Sequence, residues 1–140
     1  MPSRFKSRQV ALQSLYIWDV RKQPIEEALR DYYGSLASEE GEAVEPADPF
    51  AEQLAVGAAR EAPELDAVIA RHSAHWRIER MPVVDRNILR LAIYEMKALP
   101  TPSAVVIDQA LELARRFAGD DSISFLNGVL DAVNKELRGG

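Results

Sequence analysis

The sequence contains no cysteine at all, so disulfides and thiolate metal sites are excluded and only His72, His75 and carboxylates remain as metal ligands. It also lacks long apolar runs. Stretches such as Ala104 to Ile107 fall far short of the ~18 residues needed to span a bilayer, so no membrane helix is expected. Met1 to Arg8 is polar and basic with no apolar stretch behind it, which speaks against a secretory signal and for the cytoplasm. Strand signals are nearly missing as well: there is no long apolar/polar alternation and no hairpin turn between β-branched runs. Chemistry is equally sparse. No phosphate-cradling glycine loop, cysteine nucleophile or serine in a nucleophile elbow is present, so neither an enzyme nor a cofactor is indicated. His72 and His75 lie three apart on a helix, yet no HExxH pattern surrounds them, and a packed or surface-bonded pair is the ordinary reading.

What is present is helical periodicity over 140 residues, enough for one domain. Ser3 suits the cap of a first helix to about Val20, with Leu12, Leu15 and Tyr16 on one face. Pro24 opens a second through Ile25, Ala28, Leu29, Tyr32 and Tyr33, which Gly34 is expected to end. Residues 35–48, rich in Ser, Glu, Ala and Gly, read as an exposed acidic loop. Asp48 and Pro49 start a third helix, Pro63 a fourth with Leu65, Val68 and Ile69 inward, and Pro82 precedes a fifth. That fifth helix, with Val84, Ile88, Leu89, Leu91, Ala92, Ile93 and Met96, is apolar nearly all round and belongs at the centre. The proline-broken turn at residues 99–102 sets up a sixth through Val106, Ala110, Leu113, Ala114 and Phe117, with Gly119 as its natural C-terminal cap. A seventh starts near Asp121 or Ser122 and buries Leu126, Val129, Leu130, Val133 and Leu137, running through Asn127 and Gly128 without a phase shift. Its glycine costs roughly 1 kcal/mol against alanine, which implies close helix packing or a partner's backbone there.

The net charge of −5 argues against a self-sufficient nucleic-acid binder, but the charge is uneven. Residues 1–30 carry six Lys/Arg against three Asp/Glu, residues 35–66 one against nine, and residues 71–99 six against three. Such a distribution permits RNA binding without requiring it. Arg4, Lys6 and Arg8 alternate along the start of helix 1, where they either meet a phosphate backbone or simply solvate a helix end. The neighbouring acids Asp120 and Asp121 sit where a helix N-terminus favours negative charge.

Two blocks of sequence go further. DRNILRLAIYEM from Asp85, followed by PSAVVIDQALELARRFAGDDSISFLNGVLD ending at Asp131, closely resembles the C-terminal half of the NusB family of bacterial transcription antitermination factors. Arg8, Ala11, Gln13, Leu15, Tyr16 and Trp18 stand at the spacings of that family's first helix, and the blocks keep the family's order. The resemblance implies an all-α, single-domain bundle of about seven helices in two packed subdomains, spanning residues 1–140. It implies a non-catalytic protein that binds boxA single-stranded RNA of rRNA operons with the ribosomal protein NusE, within the RNA polymerase antitermination complex. Related proteins are both monomers and homodimers, so a homodimer stays open.

By the same resemblance an arginine-rich N-terminal segment holds boxA, and here Phe5 stands where the family often has a second arginine. The aromatic matching Phe125 faces RNA and offers a stacking platform, although its spacing from Leu126 and Val129 places it at the edge of the buried stripe. Asp85 matches an acidic position that contacts RNA or partner, its plainer role being charge at a helix N-terminus. Tyr16 and Asn127 complete the candidate RNA-binding set of Arg4, Lys6, Arg8, Tyr16, Asp85, Phe125 and Asn127. Two rivals remain: a detached RNA-binding domain of an rRNA cytosine methyltransferase, against which the missing glycine-rich cofactor turn weighs, and a helical adaptor that binds protein only.

Overall fold

The Ser3 side chain accepts a hydrogen bond from the Lys6 amide and opens α1 (Arg4–Arg21). A computed structural model describes residues 3–40, 48–74 and 76–139. Further helices follow: α2 (Ile25–Glu40), α3 (Pro49–Arg60), α4 (Ala62–His72), α5 (Val83–Ala98), α6 (Ser103–Phe117) and α7 (Asp120–Leu137). One 3-10 turn (Ile78–Arg80) leads into α5, and no strand occurs among the described residues.

Most starts lie where prolines and capping residues put them. Asp48 is buried and its carboxylate accepts from the Ala51 amide, while Pro49 occupies the first turn, where a missing N–H costs nothing. The same carboxylate accepts a 2.6 Å hydrogen bond from Ser7 Oγ, tying the start of α3 to the start of α1. Two expected ends differ. α2 does not stop at Gly34 but continues to Glu40, so the first part of the expected acidic loop is helical; residues 41–47 lie outside the described residues. Gly119 caps the N-terminus of α7 rather than the C-terminus of α6, with an extended backbone (φ −97°, ψ 167°) instead of a left-handed one.

α5 is the centre of the molecule, packed by α1, α3, α4, α6 and α7. The α1–α3 group and the α4–α7 group therefore share one core, in which Leu15, Leu54, Leu65, Ile88, Leu113, Leu126 and Leu130 are almost wholly buried. α3 comes so close to α5 that a Cβ on Gly57 would lie 2.0 Å from the Tyr94 ring, so glycine is needed for that approach. Gly128 is the opposite case. A Cβ there would meet nothing within 4 Å, so the close packing expected of it inside the chain is absent.

The central helix is less apolar than its pattern promised, for it also buries Asp85, Asn87, Arg90 and Glu95. Buried charge is tolerable only when paired and hydrogen-bonded. Asp19 of α1 accepts from Arg86, Asn87 and Arg90, at 2.7, 2.9 and 3.0 Å, and Arg90 reaches on to both oxygens of Asp66 in α4.

Candidate nucleic-acid interface

α1 presents two quite different sides, separated by the ~100° turn per residue of an α-helix. Leu12 and Leu15 point inward, whereas Lys6, Tyr16 and Val20 are exposed along one outer line that Gln9 and Gln13 join, half-buried. Tyr16 is 44% exposed and so does not share the buried face of Leu12 and Leu15 on which its spacing had placed it. Its ring forms the lip of an apolar groove of about 350 Å³, walled by Leu12, Ile17, Tyr32, Val84 and Phe117. Such a groove suits apolar side chains of a protein better than phosphates.

Of the three expected cations at the start of α1, only two are free to meet RNA. Arg4 is exposed, its guanidinium 3.9 Å from the centre of the Phe50 ring, and Lys6 is exposed. Arg8 must be corrected. It is 5% exposed; its Nε donates to Glu95 Oε1 at 2.8 Å, a second nitrogen to Oε2, and the third to Gln109. With its fork spent on an equally buried carboxylate, Arg8 has neither access nor spare charge for phosphate and joins α1 to α5 and α6 instead.

A cation that sequence reasoning missed stands beside them. Arg116 of α6 is exposed and lies 4.7 Å from the centre of the Phe5 ring, so the residue that replaces a second N-terminal arginine seats one delivered by another helix. Arg4, Lys6 and Arg116 are thus exposed cations at or beside an α1 N-terminus whose first turn holds no acidic residue. The sequence clue, an arginine at the end of an amphipathic helix, does not single out this position.

Asp85 is buried in the first turn of α5, and its only hydrogen bond to a described residue is donated by Ser122 Oγ at 2.7 Å. Burial pushes its pKa above the usual carboxylate value, against the lowering effect of that bond. An under-partnered carboxylate repels phosphate and favours a donor or cation brought by something else. Phe125, one turn beyond Ser122, is half-buried with its ring edge against Trp76, 6.4 Å between centres. Asn127 is exposed, but two positions along the helix put it roughly 160° around the axis from Phe125. The structure therefore joins Asp85 with Phe125 through the start of α7, whereas Arg4 and Lys6, also two positions apart, leave α1 on different sides, Arg4 towards Phe50. It does not bring Asn127 and Phe125 onto one face.

His72 gives its ring Nε2 to Glu136 at 2.9 Å, and His75 lies outside the described residues. Among the described residues no group of three His, Cys, Asp or Glu could hold a metal, and no helix is long and apolar enough to cross a membrane.

Comparison with known proteins gives a consistent result. The profile of the NusB family matches residues 5–135. A transcription antitermination protein NusB from Solibacter usitatus (strain Ellin6076) is 54% identical over 98% of this chain and 92% of its own length. The corresponding protein of Koribacter versatilis (strain Ellin345) is 43% identical over 96% and 90%. Among solved structures, antitermination factors NusB and NusE in complex with dsRNA superpose with a TM-score of 0.78 at 29% identity, covering 95% of this chain and 96% of that one. NusB from Aquifex aeolicus in solution gives 0.79 at 28% identity, over 99% and 92%.

Proposed function

The chain belongs to the NusB family, and from that membership we propose that it is a non-catalytic antitermination factor of the cytoplasm. In this reading it holds boxA-type single-stranded RNA together with the ribosomal protein NusE, for the RNA polymerase antitermination complex. The observation that carries the reading is the likeness, over nearly the whole chain, to a NusB held with NusE and dsRNA. The chemistry of the surface is compatible with it. Arg4, Lys6 and Arg116 supply exposed positive charge for a phosphate backbone, and Phe125 presents part of a ring to an unpaired base. Asn127 offers an exposed amide to a base edge from the other side of α7. The apolar groove under Tyr16 and the buried carboxylate of Asp85 are assigned to the protein partner, which can bring apolar side chains and a cation.

An electrophoretic shift with boxA RNA, with and without NusE, tests this directly. A complex is expected, tighter when NusE is present; no shift under either condition leaves the protein-only adaptor as the better reading. Charge and stacking then separate. Replacing Arg4, Lys6 and Arg116 together by glutamine is expected to weaken boxA and unrelated RNA alike and to flatten the salt dependence by roughly one unit of slope per lost phosphate contact.

Phe125→Ala should cost about 1 to 3 kcal/mol of RNA affinity with the salt slope unchanged. Its melting temperature must be read alongside, because loss of stability without loss of affinity would return the ring to a packing role.

A further inference from the structure

Trp76 is the most exposed large apolar side chain among the described residues, 53% open to solvent, in the connection between α4 and α5. A large ring left in water is costly, and here the backbone holds it there. Ala74 adopts a left-handed conformation (φ 50°), the Trp76 amide donates to Ser73 O at 3.1 Å, and the buried Ser73 hydroxyl donates back to the Trp76 carbonyl at 3.1 Å. Both ends of the turn are therefore pinned, and the ring is presented with little loss of freedom still to come. Among the described residues its one ring contact is Phe125, in an edge arrangement with an interplanar angle of 61°. The indole N–H makes no hydrogen bond to a described residue.

Near the pair in the chain lie two exposed arginines and two exposed acids. Arg77 and Arg80 follow Trp76 directly, both exposed and without an ion pair to a described residue; Glu79 and, one turn before Phe125, Asp121 oppose them. Glu136, further along α7, is paired with Arg71 and bonded to His72, and the Asp85 carboxylate is buried against Ser122. Two rings set at an angle, one of them mostly open and followed in the chain by two exposed arginines without an ion pair to a described residue, fit an unpaired base with its phosphate better than an apolar peptide.

We propose that Trp76 is a nucleic-acid contact, its indole stacking on an unpaired base of single-stranded RNA while Phe125 buttresses the ring and Arg77 and Arg80 meet the adjoining phosphates. This rests on the RNA-binding reading and adds a second aromatic to it. The two aromatics form an L-shaped corner. A base lying on the indole face meets the Phe125 ring with its edge, so neighbouring bases are splayed rather than continuously stacked, as recognition of single strands requires.

The test uses the full chain carrying Trp18→Phe, so that Trp76 is the only tryptophan and reports by its own emission. On titration with a boxA-type single-stranded oligoribonucleotide, indole emission is expected to fall along the same isotherm as the electrophoretic shift. Trp76→Ala in the natural chain is expected to weaken RNA roughly tenfold with the salt slope unchanged, and Trp76→Phe to restore part of the loss. RNA binding with unchanged Trp76 emission and unaltered affinity of Trp76→Ala overturns this proposal alone. So does an emission change that appears only with the ribosomal protein and never with RNA. Failure of the natural chain to bind RNA at all sinks the underlying reading, and the shift assay without any variant distinguishes that case.

Discussion

Replacing Glu95 by alanine is expected to destabilise the fold by about 3 to 5 kcal/mol, because it strands the Arg8 guanidinium in the core. Arg8 and Glu95 are 6% and 1% exposed at their side chains, so the orphaned cation is left largely out of water. Gln109 alone accepts from it and cannot balance the charge. Urea unfolding of Glu95→Ala against the natural chain reads this as a lower midpoint at constant slope. The paired replacement Arg8→Met with Glu95→Leu should recover most of the loss, since removing both ions also removes their desolvation cost. That double variant also decides the role of Arg8: its RNA affinity and salt slope should match the natural chain, and a slope reduced by a full unit would place Arg8 on phosphate after all.

A comparable loss is expected at Asp19, where Asp19→Ala leaves Arg86 and Asn87 without their carboxylate and Arg90 with Asp66 alone. About 3 to 5 kcal/mol is the scale of breaking such a buried network. The pH dependence follows from the same geometry. Burial raises the pKa of Asp19, but the hydrogen bonds from Arg86 and Asn87 and the charges of Arg90 and Arg86 outweigh it and hold the group at about 2. Its folded pKa is thus below the ordinary aspartate value of 3.8, so its contribution is complete above about pH 4 and is lost as pH falls towards 2. The shift corresponds to about 2 kcal/mol. Unfolding free energies measured from pH 6 down to pH 2.5 should therefore fall more steeply for the natural chain than for Asp19→Asn. Parallel curves would mean that Asp19 titrates as an ordinary exposed carboxylate.

The helices were legible because prolines and caps punctuate this chain at most of their starts. Gly34 misled because glycine is only a weak breaker, and a continuing α2 overrode it. Arg8 misled for a different reason. Counting charge along the chain treats every arginine as solvated, whereas its partner Glu95 is 87 positions away and belongs to a helix read as apolar. A signal was available, since Arg8 is three before Ala11 and seven before Leu15, on the inward side of α1. The same rule would have separated Phe125 from Asn127. Trp76 could not be found this way, because an aromatic in a loop says nothing of its exposure until the turn around Ser73 and Ala74 is known.

The bridging position of α1 also carries a consequence in time. α1 leaves the ribosome well before α5, which holds Glu95, Arg86 and Arg90 and is complete only at Ala98. At roughly 5 to 20 residues per second, the intervening chain takes about 4 to 15 s to synthesise. Throughout that interval Arg8 and Asp19 remain hydrated and the apolar side of α1 has only α2 and α3 to rest on. The nascent N-terminal half is then the stage of the protein's life most exposed to aggregation and to chaperones, and the emergence of α5 is the event that ends it.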